Sequence, residues 1–256
     1  MPPFVDEPLE AIIFDLGNTL IYFEDAWPEV LARADAVLFR YLGEAGLDLD
    51  EAAFLENYRA QLESYYQERE TEFVEYTTQY ILRELLAEWG YPDAPESILR
   101  PALNAMYAVT QAHWQPEVDA LPTLQALKER GYYLGMISNA GDDADVQTLV
   151  DKAQMRPYFD LIVTSAASGI RKPNPRIFQP LLDLWRLPPK RVAMVGDTLG
   201  ADILGAHNAG IFSIWITRRA DVPANRAHLD TILPDATIET LEDLLPLLEG
   251  LKKKGG

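Results

Sequence analysis

The chain has 256 residues, 48% hydrophobic and 24% charged, which suits a folded protein able to bury a full core. Its 40 acidic residues against 22 basic ones give a net charge of −18, which argues against nucleic acid as a partner. With no cysteine, disulfides, thiolate nucleophiles and zinc–thiolate sites are excluded, and no apolar run approaches the roughly 18 residues of a membrane span.

The first ten residues, MPPFVDEPLE, lack the basic start and apolar centre of a secretory leader, so the cytoplasm is the expected compartment. Residues 11–14 are a short apolar run ending in Asp15, and read as a buried strand. Similar runs at 133–137, 161–164, 192–195 and 212–216 predict four more strands. Helical patterns near 118–130, 143–154, 175–185 and 201–209 alternate with them. Gly131 and Gly210 stand where left-handed caps would end two of these helices. Alternating strands and helices imply a parallel sheet covered on both faces, with ligands at the carboxyl ends of its strands.

Between residues 21 and 115 the pattern changes. Trp27, Val30, Leu31, Ala34, Leu38, Tyr41 and Leu42 follow three-and-four spacing. So do Phe54, Tyr58, Leu62 and Tyr65, then Phe73, Thr77, Ile81 and Leu85, then Leu99, Leu103 and Met106. The segment reads as a four-helix insertion placed over the strand ends as a cap. The expected organisation is an α/β core of residues 1–20 and 116–251, a helical cap of residues 21–115, and a solvated tail of residues 252–256. The cap carries 18 acidic residues against 6 arginines and no lysine, so neutral or cationic ligand groups are expected there over multiply anionic ones such as bisphosphates and nucleic acids. Nine of the 12 tyrosines fall between Tyr22 and Tyr107, where they are expected to pack between cap helices with hydroxyls at the edge.

Four patches fall at one sheet edge. "FDLGNTL" places Asp15 at a strand end, where a carboxylate can act as a nucleophile toward phosphorus. "LGMISNAG" ends a strand in Ser138 and Asn139, a hydroxyl and amides able to hold phosphoryl oxygens. "GIRKPNPRIF" holds Lys172 before a rigid proline. "VAMVGDTLGADILGAHNAG" places Asp197 at a strand end and Asp202 about a turn beyond, and with Asp15 these make a hard-oxygen site suited to Mg²⁺. The glycines of this last patch match neither nucleotide-binding fingerprint. His113, His207 and His228 are too scattered for a histidine metal cluster, and Arg218 and Arg219 read as loop solvation.

In order and spacing these patches resemble the four motifs of the haloacid dehalogenase-like superfamily, in its branch with a helical cap between the first and second motifs. The resemblance implies a Rossmann-like parallel sheet and a Mg²⁺-dependent phosphatase acting on a small phosphorylated metabolite through an aspartyl-phosphate. By resemblance Asp15 is the nucleophile, assisted by Lys172. Thr19, Ser138, Asn139 and Lys172 bind the phosphoryl group. Asp15, the Gly17 carbonyl and Asp197 hold Mg²⁺, and Asp202 supports Lys172 or the metal's waters.

The chain departs from the pattern at Gly17. Phosphatases of this family usually carry a second aspartate there as general acid and base. Glycine keeps the carbonyl that serves as a metal ligand but removes the side-chain proton donor. Tyr22, Glu24 and Asp25 follow closely enough to be substitutes. Other readings stay open: a 2-haloacid dehalogenase, which needs no metal; a phosphomutase, which needs proton shuttling; and a weakly active regulatory or binding protein that kept the fold.

Overall fold

The computed structural model describes residues 8–254. Its strands are β1 (Ala11–Phe14), β2 (Ile21–Phe23), β3 (Trp114–Pro116), β4 (Tyr133–Ser138), β5 (Leu161–Thr164), β6 (Val192–Gly196), β7 (Phe212–Ile216) and β8 (Ala236–Ile238). Six of them form one sheet of order β5-β4-β1-β6-β7-β8, with every pairing parallel. The first strand shows why. Ile12 and Phe14 pack into the core on one face of the sheet, and Ala11 and Ile13 into the core on the other. A strand buried on both faces reads as an unbroken apolar run.

The helices are α1 (Trp27–Glu44), α2 (Glu51–Glu72), α3 (Thr78–Glu88), α4 (Glu96–Gln111), α5 (Ala120–Glu129), α6 (Asp143–Lys152), α7 (Ser165–Ser168), α8 (Gln179–Trp185), α9 (Leu204–Ala209), α10 (Pro223–Arg226) and α11 (Leu244–Lys254). Residues of α5, α6 and α11 cover the Ile12/Phe14 face, and those of α8 and α9 the Ala11/Ile13 face. At Gly135 a Cβ would lie 2.5 Å from a Leu181 methyl, so glycine lets α8 sit directly on β4. Gly131 and Gly210, with φ of +82° and +70°, follow α5 and α9 in the left-handed conformation expected of them.

Several elements differ from expectation. The helix expected from residue 201 opens as a π-helical turn, Leu199–Ile203, before α9. That expected from 175 opens as a 3₁₀ turn, Pro175–Phe178, before α8. The short strands β2, β3 and β8 have too few residues to show a periodicity. β2 and β3 pair antiparallel as a separate ribbon where the chain enters and leaves the helical insertion. Residues 252–254, expected in a solvated tail, continue α11, and the exposed Lys252 has its Nζ 4.9 Å from the Tyr132 ring centre. Residues 255–256 lie outside the described residues.

Helices α1 to α4 share a second core, in which Leu38, Leu42, Phe54, Leu82, Leu85, Leu99 and Leu103 are buried together. The third helix begins at Thr78, later than the expected Phe73, with Thr77 Oγ1 accepting from the Tyr80 N–H at 3.1 Å. Phe73 is instead in a turn with φ of +54°. The loop so formed docks on the chain leading to Lys172. Phe73 O accepts from Arg171 N–H, Gly169 O accepts from Glu75 N–H, both at 3.1 Å, and Val74 bridges Ile170.

Candidate active site

The order β4-β1-β6 brings Ser138, Asp15 and Asp197 side by side at the carboxyl edge of the sheet. Asp15 continues the ladder by donating its N–H to Val195 O at 2.9 Å. Lys172 reaches the same point from its loop, with two hydrogen bonds and a further ion pair at its ammonium. Nζ lies 2.6 Å from Asp15 Oδ1, 2.7 Å from Ile137 O and 2.7 Å from Asp202 Oδ1. The other Asp202 oxygen accepts from the Thr198 N–H at 2.9 Å. A Cβ at Gly196 would stand 2.3 Å from the Asp202 carboxyl, so only glycine lets that group fold back against the strand end.

Burial sets the electrostatics. It raises the Asp15 carboxyl from an ordinary 3.8 to about 6, with Lys172 opposing and Asp202 adding to the effect. Asp197 is pushed to about 8, by burial first and then by Asp202 and Asp15. For Lys172 burial works against the charge, yet Asp15 and Asp202 hold its pKa above the ordinary 10.5. Asp15, Asp197 and Asp202 offer carboxylate oxygens within 4.8 Å of one another, against one ammonium. Such an excess of negative oxygen donors fits a hard divalent cation, which would relieve the repulsion that raises Asp197. The Gly17 carbonyl accepts no main-chain hydrogen bond among the described residues and is free to join them.

Other expected residues are placed differently. The Asn139 side chain is occupied by Lys172, accepting from its N–H at 2.9 Å and donating to its carbonyl at 3.0 Å, so it holds the lysine's main chain. Thr19 is fully buried, its hydroxyl has no hydrogen-bond partner, and it does not line the cavity over the site. Ser138 does line it. None of Tyr22, Glu24 and Asp25 does: Tyr22 lies under the Arg219 guanidinium at 3.9 Å, and Asp25 pairs with His113 Nδ1 at 2.5 Å. Arg218 and Arg219 are not loop solvation, because Arg218 grips Asp119 through two hydrogen bonds of 2.7 Å and both arginines pair with Glu117.

Two supports have no signal in the sequence. Asn225, buried in α10, donates to Asp197 O at 2.8 Å and accepts from the Leu199 N–H at 2.8 Å. Trp215 Nε1 donates to the same Asp197 carbonyl at 2.8 Å. Between them they fix the main chain on which the Asp197 carboxyl is carried.

A cavity of about 820 Å³ runs from this edge into the helical unit, lined by Trp27, Tyr58, Tyr65, Tyr66, Tyr107 and Trp114 among others. The tyrosines expected to pack between helices thus also face a ligand space. The carboxylates lining it are Asp15, Asp35, Asp145, Asp197 and Asp202.

A carboxylate held by a buried lysine, with two more acids beneath a helical roof, defines an acid-rich hydrolase site on a Rossmann-like sheet. The chain belongs to the haloacid dehalogenase-like hydrolases, whose family model matches residues 9–210. It is 30% identical to a glyceraldehyde 3-phosphate phosphatase of Methanothermobacter thermautotrophicus, over 94% of this chain and 99% of that one. It is 28% identical to a protein of the same name from Methanopyrus kandleri, over 96% and 99% of the two chains. Among solved structures, the 2-haloacid dehalogenase of Pseudomonas syringae pv. Tomato DC3000 superposes with a TM-score of 0.66 at 25% identity, covering 94% of this chain and 98% of that one.

Proposed function

We propose that the chain is a phosphoric monoester hydrolase that works through an aspartyl-phosphate and requires Mg²⁺. The observation that carries this is the carboxylate group of Asp15, Asp197 and Asp202 bridged by Lys172. A dehalogenase attacks carbon and has no use for a cation-binding acid cluster. The phosphatase names of the relatives agree with this choice, and point to small phosphorylated metabolites. Among the described residues no helix is long and apolar enough to cross a membrane, which is compatible with a cytoplasmic enzyme.

In the proposed reaction an Asp15 oxygen attacks phosphorus, and the P–O bond to the leaving group breaks in line. Lys172 keeps the attacking carboxylate oriented through its 2.6 Å contact and offsets the charge on the phosphoryl oxygens. Ser138 lies beside the reacting group, and Asn139 fixes the lysine from behind. Water then attacks phosphorus, the Asp15–phosphorus bond breaks, and phosphate leaves. Bound at Asp15, Asp197 and the Gly17 carbonyl, Mg²⁺ would supply charge neutralisation and orientation of the phosphoryl oxygens. The helical unit at residues 27–111 acts as the cap that limits water access during the first step.

The test is release of phosphate from a chemically varied panel of monoesters. Activity should vanish with chelator, return with Mg²⁺, and be lost in Asp15→Asn while the fold is retained. Full turnover in chelator would reject the metal-dependent mechanism, and an active Asp15→Asn would reject the covalent one.

A further inference from the structure

Two strong cations line the cavity, and only Lys172 has its charge committed to the site carboxylates. The other is Arg171. Its side chain is nine-tenths buried (10% exposed), and its guanidinium makes no hydrogen bond to any described residue. The nearest acid is Glu75, whose Oε2 stands 3.5 Å from Nη1, an ion pair without a hydrogen bond. Glu75 has both oxygens in use already: Oε1 accepts from the Tyr65 hydroxyl, and Oε2 from Ser165 Oγ at 2.7 Å. Glu75 therefore steadies the charge from behind and leaves the donors unmet. Nη1 is sealed beside Glu75, so the guanidinium nitrogens open to a ligand are Nε and Nη2, which have no hydrogen-bond partner among the described residues. The cavity is where an acceptor can enter.

Position narrows what that acceptor is. Arg171 N–H is pinned to Phe73 O at 3.1 Å and Lys172 N–H to Asn139 Oδ1 at 2.9 Å, so the backbone beneath both cations is fixed. Arg171 and Lys172 line the same cavity, so a small ester with its phosphoryl group at Asp15 and Lys172 extends its leaving group into space that Arg171 also borders. The planar fork of a guanidinium matches the two oxygens of a carboxylate. A second phosphate fits less well, because Asp35 also faces the cavity beside the site carboxylates and disfavours a dianion there. Asp35 is offset by Arg59 at 2.9 Å and Asp145 accepts from Gln111 at 2.8 Å, which leaves room for a single negative charge.

We infer that Arg171 is a specificity residue that binds a carboxylate on the leaving group, making the substrates short phosphorylated hydroxy acids. This rests on the phosphatase reading. It also revises the expectation drawn from the acidity of the helical insertion, since the recognising cation comes from the loop before Lys172 and not from the insertion.

The test is wild-type turnover with Mg²⁺ of two matched pairs: 2-phosphoglycolate against 2-hydroxyethyl phosphate, and 3-phosphoglycerate against glycerol phosphate. Each acid should exceed its alcohol in kcat/KM by about tenfold or more, as a charge-assisted contact warrants. Arg171→Gln should collapse that ratio to near unity, with the loss in KM, and Arg171→Lys should keep part of it. Where alkyl turnover is too slow to follow, glycolate should inhibit hydrolysis of p-nitrophenyl phosphate far better than ethylene glycol. The wild-type comparison needs no variant to fold. If p-nitrophenyl phosphate is turned over but neither acid preference nor glycolate inhibition is found, the Arg171 assignment falls alone. A preference that survives Arg171→Gln also overturns it. If no ester is turned over, the phosphatase reading falls and takes this inference with it.

Discussion

Placing a carboxyl at position 17 tests what the loop after β1 lacks. Gly17 has no left-handed φ, and a Cβ there would meet the Trp114 ring at 3.6 and 3.9 Å, ordinary contact distances. Neither conformation nor space demands glycine, so Gly17→Asp should fold. A new carboxyl two residues beyond Asp15 lies roughly 7 Å away on an extended chain. At an effective dielectric near 20, repulsion between two such charges is roughly 2 kcal/mol. That lifts the new group by between about one and two pH units, toward the range where a proton donor works at neutrality. A general acid contributes about 10²–10⁴-fold when it protonates a leaving oxygen. In the wild-type chain none of Tyr22, Glu24 and Asp25 lines the cavity to take that part, and Asp145, which does line it, is engaged by Gln111 on α4 rather than by the loop after β1. Rates across esters should therefore fall steeply with leaving-group pKa, and phosphoenzyme should build up as a burst of product. In Gly17→Asp, alkyl phosphates should speed up by about 100-fold or more, good aryl leaving groups by less than about tenfold, and the slope should flatten. The assay is a rate series against leaving-group pKa at saturating Mg²⁺. A shallow slope in the wild-type protein would refute the reasoning, because the proton would then come from elsewhere.

Two further substitutions probe the surroundings. Asp145 is raised from an ordinary 3.8 to about 7, by burial first, with the Gln111 hydrogen bond opposing and Asp142 adding. A carboxyl raised in the folded state binds its proton more tightly there, so its stabilising contribution is full below pH 4 and lost as pH climbs to about 7. At about 1.4 kcal/mol per pH unit the ceiling is ~4 kcal/mol. Asp145→Asn cannot ionise, so it should gain in thermal midpoint over wild type at pH 8 and much less at pH 4. Equal pH dependence of the two melting curves would show that the carboxyl is not held neutral. Removing Asn225 takes one donor from the Asp197 carbonyl and the acceptor from the Leu199 N–H, while Trp215 still holds that carbonyl. Asn225→Ala should raise the Mg²⁺ concentration for half-maximal activity by about tenfold or more, and a Mg²⁺ titration unchanged from wild type would mean that Asn225 does not position Asp197.

The sheet was legible because its buried strands are continuous apolar runs, and a strand covered on both faces cannot be written otherwise. The residues at the strand ends were legible for a related reason: a parallel sheet delivers neighbouring strand ends to one edge, so Asp15, Ser138 and Asp197 had to meet. β2, β3 and β8 were not, since three residues cannot establish a period of two. Nor was the true start of α3. Phe73 continues the helical spacing of Ile81 and Leu85, and nothing in that spacing reveals that the backbone turns left-handed at Phe73.

That miss bears on the site. A motif names Lys172, but its placement depends on two grips from distant parts of the chain. Asn139 holds its main chain from the strand side, and the 73–77 loop holds Arg171 from the helical unit. Glu75 ties the same loop to Ser165 and Tyr65, so α2, α7 and the lysine loop share one buried carboxylate. Thr78 adds a further link from the start of α3, donating to Gly141 O at 2.8 Å, and a Cβ at Gly141 would stand 2.7 Å from the Thr78 hydroxyl. The helical unit therefore cannot lift from the sheet edge without releasing the backbone of the residue beside Lys172. Roofing of the cavity and placement of its second cation are one structural event. Local pattern carries the chemistry of each motif, and pairings between segments some hundred residues apart decide which ligand that chemistry meets.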